Sequence, residues 1–203
     1  MIISHKHKFI FIKTVKTAGT SIEVFLSDHC GPDDILTPIF PHIEPHLARN
    51  FEEKEFFNHI QAREVKRRIS KVTWEGYFKF CVERNPWDKV LSHYHMHRHR
   101  SGNQLSLEEY FQKGQLPINY TKYTDASGNV IVDQIIKYEN LLEGLADVFK
   151  RLKIPFEGSL GIKAKSEYRT DRRHYKEILS TEQAEIISKA FSKEIELFGY
   201  SFQ

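Results

Sequence analysis

Cysteine is scarce: the 203 residues include two, Cys30 and Cys81. Two thiols in unrelated contexts exclude a disulfide scaffold, and Cys81, inside the apolar run "YFKFCVE", is expected as a buried free thiol. No apolar run approaches membrane-spanning length. The start, "MIISHKHKFIFIK", lacks the long apolar stretch and small-residue cleavage site of a leader, so the chain is expected to be soluble and cytoplasmic. Neither sign of charge dominates, with 30 Lys and Arg against 27 Asp and Glu and a formal charge of +3. That balance excludes wholesale wrapping of a nucleic acid polymer, and any anion site should be local. There is no internal repeat and no low-complexity tract.

What is present suits one well-filled core: 40% of residues are hydrophobic and 13% aromatic. The length predicts a single domain over 1–203. An apolar run from Phe9 to Ile12 predicts a strand, and Ile22, Phe25 and Leu26 recur at helical spacing after a turn. "DDILTPIF" (33–40) reads as a short strand or extended segment, and Ala62, Val65 and Ile69 predict a helix. A second strand ends near Arg84, where Asn85 caps a helix and Pro86 suits its first position. A turn at Ser127-Gly128-Asn129 precedes a third, β-branched run from Val130 to Ile136. Leu141, Leu145, Val148 and Leu152 then form one helical stripe. The last helix is predicted from Ser180, with Gln183 completing a capping box, through Phe198 to Gly199. Strands alternating with helices predict an α/β fold with a mostly parallel sheet flanked by helices.

The turn "VKTAGTS" (15–21) opens a helix straight after a strand. Such a turn leaves backbone N–H groups aimed at one point, where the helix dipole also favours negative charge, and so suits a phosphate. Its lysine precedes the glycine, the reverse of the order in nucleoside-triphosphate loops, which counts against a kinase. Lys13 and Lys16 both lie in this turn, and spacing alone does not choose between them.

"VKTAGTS" resembles the 5′-phosphosulfate loop of sulfotransferases, with Val15 where that family usually has proline. "FCVERNPWDKVLSHY" (80–94) resembles the family's 3′-phosphate-binding strand, turn and helix. "VDQIIKYENL" (132–141) and "ELFGYSF" (196–202) resemble the carbohydrate and heparan 2-O-sulfotransferase group. The resemblance covers nearly the whole chain. It implies a P-loop-kinase-like sulfotransferase fold and 3′-phosphoadenosine 5′-phosphosulfate as donor, with 3′,5′-bisphosphoadenosine as product. It further implies Lys16, Thr17, Ala18, Gly19, Thr20 and Ser21 as donor contacts, with Lys16 also acting on the leaving phosphate. Arg84 and Ser92 are implied on the 3′-phosphate, and Arg169, in the basic stretch 163–176, as a further contact.

Sulfuryl transfer to a hydroxyl needs a base for the acceptor proton. His59 is the candidate, in the region where some carbohydrate sulfotransferases carry a base histidine, and His42, Glu44 and His46 stand in reserve. The acceptor is expected to be a hydroxylated small molecule or carbohydrate. "SHYHMHRHR" (92–100) pairs His93 with His97 and His95 with His99 at helical spacing, but on different faces and without a carboxylate cluster. No metal is expected, and this stretch is read as a solvated or acceptor-facing wall. Two other readings stay open: a small kinase that holds magnesium through Glu83 or Asp133, and a non-catalytic module for a bisphosphorylated nucleotide or polyanion.

Overall fold

The computed structural model describes residues 1–52, 54–162, 168–169 and 171–202. They form two compact units, one of residues 1–83 and 121–164, the other of 84–120 and 165–203. The first unit is built on a five-stranded sheet: β1 (Ile2–Ser4), β2 (Phe9–Phe11), β3 (Ile35–Leu36), β4 (Phe78–Glu83) and β5 (Gln134–Lys137), in the order β3-β1-β2-β4-β5. β2, β4 and β5 are parallel neighbours, whereas β1 pairs antiparallel with both β2 and β3. The sheet is therefore mixed, a parallel core with an antiparallel edge. The predicted α/β architecture is present. The Ile2–Ser4 strand and the tight return to β2 were not anticipated, because three apolar-led residues carry no readable period.

Helix α1 (Gly19–Ser27) follows β2; α2 (Ala62–Arg68) and α3 (Lys71–Gly76) precede β4. In β4 every residue is buried, as expected of a central strand covered on both faces. One apolar cluster joins Phe9, Phe11, Phe80 and Val82 of the sheet to Ile22 and Leu26 of α1. It continues through Leu145, Val148, Phe149 and Leu152 of the later helix α7 (Leu141–Leu152), the stripe predicted from sequence. The β-branched run from Val130 is shorter as a strand than expected. Val130 bridges Thr124 instead, and Asp133 is drawn to Lys79, whose N–H and ammonium both donate to it (2.7 and 2.9 Å). Pairing with β4 starts only at Gln134.

The second unit is helical: α4 (Pro86–Arg100), α5 (Leu107–Gln112), α8 (Tyr175–Ile178), α9 (Thr181–Ala190) and α10 (Ser192–Phe198), with α6 (Tyr120–Tyr123) at the junction of its sequence with the first unit's. Asn85 caps α4 as expected, its side-chain oxygen accepting from the N–H groups of Trp87 and Asp88, and Pro86 takes the first turn. Ser180 and Gln183 close the predicted capping box of α9. The expected single terminal helix is broken at Phe191. That residue is fully buried beneath the ammonium of Lys89 (4.7 Å to the ring centroid), and Lys89 faces the buried carboxylate of Glu194. Tertiary packing overrides local helix propensity here.

α7 carries a test of how closely it packs on the sheet. A Cβ on Gly144 would lie 2.5 Å from Cγ2 of Ile136. Gly144→Ala gains about 1 kcal/mol in helix propensity but overpacks a stiff β-branched neighbour at a cost of about 1–3 kcal/mol. Urea unfolding should show a net loss of stability, and in an Ile136→Ala background the same substitution should become neutral or stabilising.

Candidate functional site

The turn between β2 and α1 is shaped by a buried ion pair. Lys13 Nζ donates to Glu23 Oε2 at 2.5 Å, with the two side chains 4% and 0% exposed. The other Glu23 oxygen accepts from the amino group of Met1. Burial alone would raise the Glu23 carboxyl, but the Met1 and Lys13 ammonium groups outweigh it and hold the pKa below its ordinary value. The Lys13 stem runs beneath the start of α1, where a Cβ on Gly19 would come within 2.7 Å of Lys13 Cγ. Gly19 is therefore required by close approach of the lysine stem.

Above this anchor the backbone is left-handed at Lys16 (φ 62°) and Ala18 (φ 60°), with Thr17 between them at negative φ. Such alternation turns successive N–H groups toward one point. The N-cap of α1 is Ala18, which has no side chain able to take the helix's first N–H groups. The turn thus has the form of an anion cradle, the fit that a phosphosulfate requires. Two hydroxyls near it are spent internally. Thr14 Oγ1 bonds the Val82 carbonyl, and Thr14 and Thr17 share a 2.7 Å hydrogen bond. Thr17 is fully buried, and Thr20 and Ser21 nearly so. What these residues present to a ligand is chiefly backbone. Of the two lysines that spacing left open, Lys13 is buried against Glu23 and Lys16 is partly exposed.

His59 stands beside this turn. Its Nδ1 lies 3.1 Å from the Lys13 carbonyl oxygen, and a carbonyl can only accept, so Nδ1 carries the proton and Nε2 keeps its lone pair. Burial, with Lys13 nearby, lowers the imidazole pKa to about 4, the hydrogen bond to Lys13 opposing this only in part. That lies well below the ordinary imidazole value of about 6.5. The reserve candidates are placed differently. His42 and Glu44 are exposed, and His42 Nε2 donates to the His46 carbonyl (2.8 Å). His46 is 1% exposed, burial lowers its pKa below the ordinary imidazole value, and among the described residues neither ring nitrogen has a hydrogen-bond partner.

In the second unit Arg84, at the exit of β4, is 9% exposed and forks onto Asp88, with Nε and Nη2 on Oδ2 at 2.8 and 2.5 Å. Arg169 reaches the other oxygen of the same carboxylate through Nη1. Burial would raise the Asp88 carboxyl, but the two guanidinium groups hold it below the ordinary range. Ser92 is partly exposed on α4 and, four residues after Asp88, shares its helix face. Asp88 therefore gathers two of the arginines that sequence singled out, and it was itself overlooked although it sits four residues after Arg84. Of the basic stretch 163–176, residues 163–167 and 170 lie outside the described residues.

The histidine stretch of α4 is not a simple solvated face. Tyr94 and His95 are buried at 5% and 6%, the tilted rings of His93 and His97 lie 4.3 Å apart between centroids, and only Arg98, His99 and Arg100 are exposed. Among the described residues no group of three or more His, Cys, Asp or Glu side chains could hold a metal. The carboxylates considered for a kinase are engaged elsewhere. Glu83 is fully buried and accepts from Tyr123 Oη at 3.1 Å, while Asp133 immediately precedes β5, at the end of the parallel strands opposite the turn. No described helix is long and apolar enough to cross a membrane.

The two lysines should separate in a stability measurement. Lys13→Met leaves Glu23 buried with one of its cationic partners gone and should lower the unfolding free energy by about 3 kcal/mol. Lys16→Met should change it by less than about 1 kcal/mol. Chemical denaturation of both variants checks this.

The chain is similar to known proteins. An uncharacterized protein of Archaeoglobus fulgidus is 40% identical over 98 residues, 46% of this chain and 82% of its own. The crystal structure of a sulfotransferase from Alicyclobacillus acidocaldarius is 16% identical and covers 96% of each chain with a TM-score of 0.43. The family model described as "Sulfotransferase family" matches residues 1–201. Because that match spans nearly the whole sequence, the chain belongs to the sulfotransferase family.

Proposed function

We propose that this protein transfers a sulfuryl group from 3′-phosphoadenosine 5′-phosphosulfate to an acceptor hydroxyl, with His59 as base and Lys16 on the leaving phosphate. The observation that carries this is the division of labour in the β2–α1 turn. Glu23 holds Lys13 inside the fold, leaving Lys16 beside a cradle of backbone N–H groups with no side-chain cap. Bound there, the donor supplies the sulfuryl group and a phosphate leaving group. The N–H groups of Ala18 to Ser21 and the Lys16 ammonium would stabilise charge that grows on that phosphate, where fixed donors act most strongly. The His59 lone pair on Nε2 would take the acceptor proton, its ring orientation set through the Lys13 carbonyl. Arg84, Ser92 and Arg169 are assigned to the 3′-phosphate, a dianion that suits planar guanidinium forks. The pairing of Arg84 and Arg169 with Asp88 prepares those forks before a ligand arrives. The acceptor proposed first is a carbohydrate hydroxyl, in the cytoplasm, and no step uses a metal.

Thermal shift tests the donor assignment, because a ligand of the native state raises the melting temperature by mass action. 3′,5′-Bisphosphoadenosine should raise it and ATP with magnesium should not; the opposite order would overturn the donor assignment. Arg84→Ala should weaken the bisphosphate by about 2–3 kcal/mol and leave adenosine 5′-monophosphate unchanged. Lys16→Ala should lower turnover about a hundredfold or more with a smaller change in donor affinity. Tight bisphosphate binding without turnover of any hydroxylated acceptor would identify a non-catalytic module.

A further inference from the structure

We propose that Lys122 is a positioning residue for the His59 base, its ammonium group holding the His59 backbone in the left-handed turn that aims Nδ1–H at the Lys13 carbonyl. The inference rests on the reading of His59 as base. His59 has φ +61°, a conformation that few non-glycine residues adopt, histidine more often than most, and that fixed contacts can hold in place. Two tethers do so here. The ring is held at the Lys13 carbonyl, and Lys122 Nζ donates to the His59 carbonyl oxygen at 2.8 Å across 63 residues of sequence. A hydrogen bond from an ammonium is stronger than a neutral one and is shielded from water at a partly buried site. Burial also pulls the Lys122 pKa down, as expected for an ammonium withdrawn from solvent.

Lys122 is itself well anchored. The next residue, Tyr123, is fully buried; its hydroxyl donates to Glu83 at 3.1 Å, and its carbonyl accepts from Ile131 N–H at 3.0 Å. Glu83 closes β4, and Lys13 follows β2, the neighbouring parallel strand. The His59 main chain and ring are thereby referred to the same sheet through separate contacts, the carbonyl by way of Lys122 and the ring by way of Lys13. Glu23 and the Met1 amino group are the other charged groups that act on the ring. A lysine serving only solubility would not be spent on the carbonyl of a residue in this conformation, and its loss would leave the ring's tautomer unchanged.

The test is Lys122→Met, with Lys122→Arg as the variant that keeps the charge and Lys122→Gln should the methionine variant not fold. Nitrogen-15 NMR of the His59 ring reads the geometry without any turnover. Wild type should show the Nδ1-protonated tautomer and a pKa of about 4. Lys122→Met should give a mixed tautomer and a pKa moved up toward the ordinary value of about 6.5, and Lys122→Arg should restore the wild-type pattern. Turnover should fall about tenfold to a hundredfold, as for a misplaced catalytic group, with bisphosphate affinity unchanged. An unaltered His59 ring signal in Lys122→Met or Lys122→Gln overturns the proposal, whatever happens to turnover. His59→Ala separates the two claims. If it leaves transfer intact while Lys122→Met still shifts the tautomer, the base assignment falls and the positioning contact stands. If it abolishes transfer while Lys122→Met changes neither ring nor turnover, the positioning role alone falls.

Discussion

The buried pair of Lys13 with Glu23 is the interaction on which the site depends. Placing two charges away from water is expensive, and such a pair gains little net stability over apolar side chains of the same size. What it supplies here is position. The Lys13 stem fills the space under α1 and imposes a glycine at residue 19. The Lys13 main chain presents the carbonyl that fixes the His59 tautomer. The shape of the turn and the orientation of the His59 ring are thus two consequences of one anchored residue.

A parallel core suits this arrangement because its strands all deliver their C-terminal ends to one edge. β2 ends in the anion turn, and β4 ends in Glu83, one residue before Arg84. Each is followed by a helix whose first turn is built differently. α1 begins on Ala18 without a side-chain cap, whereas α4 begins on Asn85, which satisfies two of its N–H groups. The uncapped helix is the one suited to hold an anion by backbone. The capped one has two of its first N–H groups taken by Asn85, and Asp88 in its first turn holds Arg84 and Arg169.

The parts of the fold that could be read from sequence were those written in local chemistry. The apolar runs before Lys13 and Arg84, the Asn85-Pro86 start, the Ser180 capping box and the α7 stripe each carry their own physical signature. The unreadable parts were decided at long range. Lys79 claims Asp133 and delays β5, and burial of Phe191 beneath the Lys89 ammonium breaks the last helix. The site divides the same way. The order of residues 15–21 marks an anion turn and the resemblance to sulfotransferases favours Lys16, but the burial of Lys13 against Glu23, an acid set among apolar neighbours of α1, is not visible in the sequence. Asp88 left a signal, four residues after Arg84, that was legible and unused. Lys122 left none, since nothing in its surroundings points to a histidine 63 residues away.

The central claim is that the fold delivers a neutral, oriented His59 to an acceptor hydroxyl beside the Lys16 turn. The pH dependence of kcat/KM for sulfuryl transfer, which reports ionisations of the free enzyme, tests it most directly. A base acts only when unprotonated, and burial has lowered this imidazole to about 4. The rate should therefore stay level as pH falls from neutrality to about 5 and decline only as pH approaches about 4, and His59→Ala should remove that dependence together with most of the rate. A decline centred near the ordinary imidazole value of about 6.5, or a His59→Ala enzyme that retains wild-type transfer, would contradict the account.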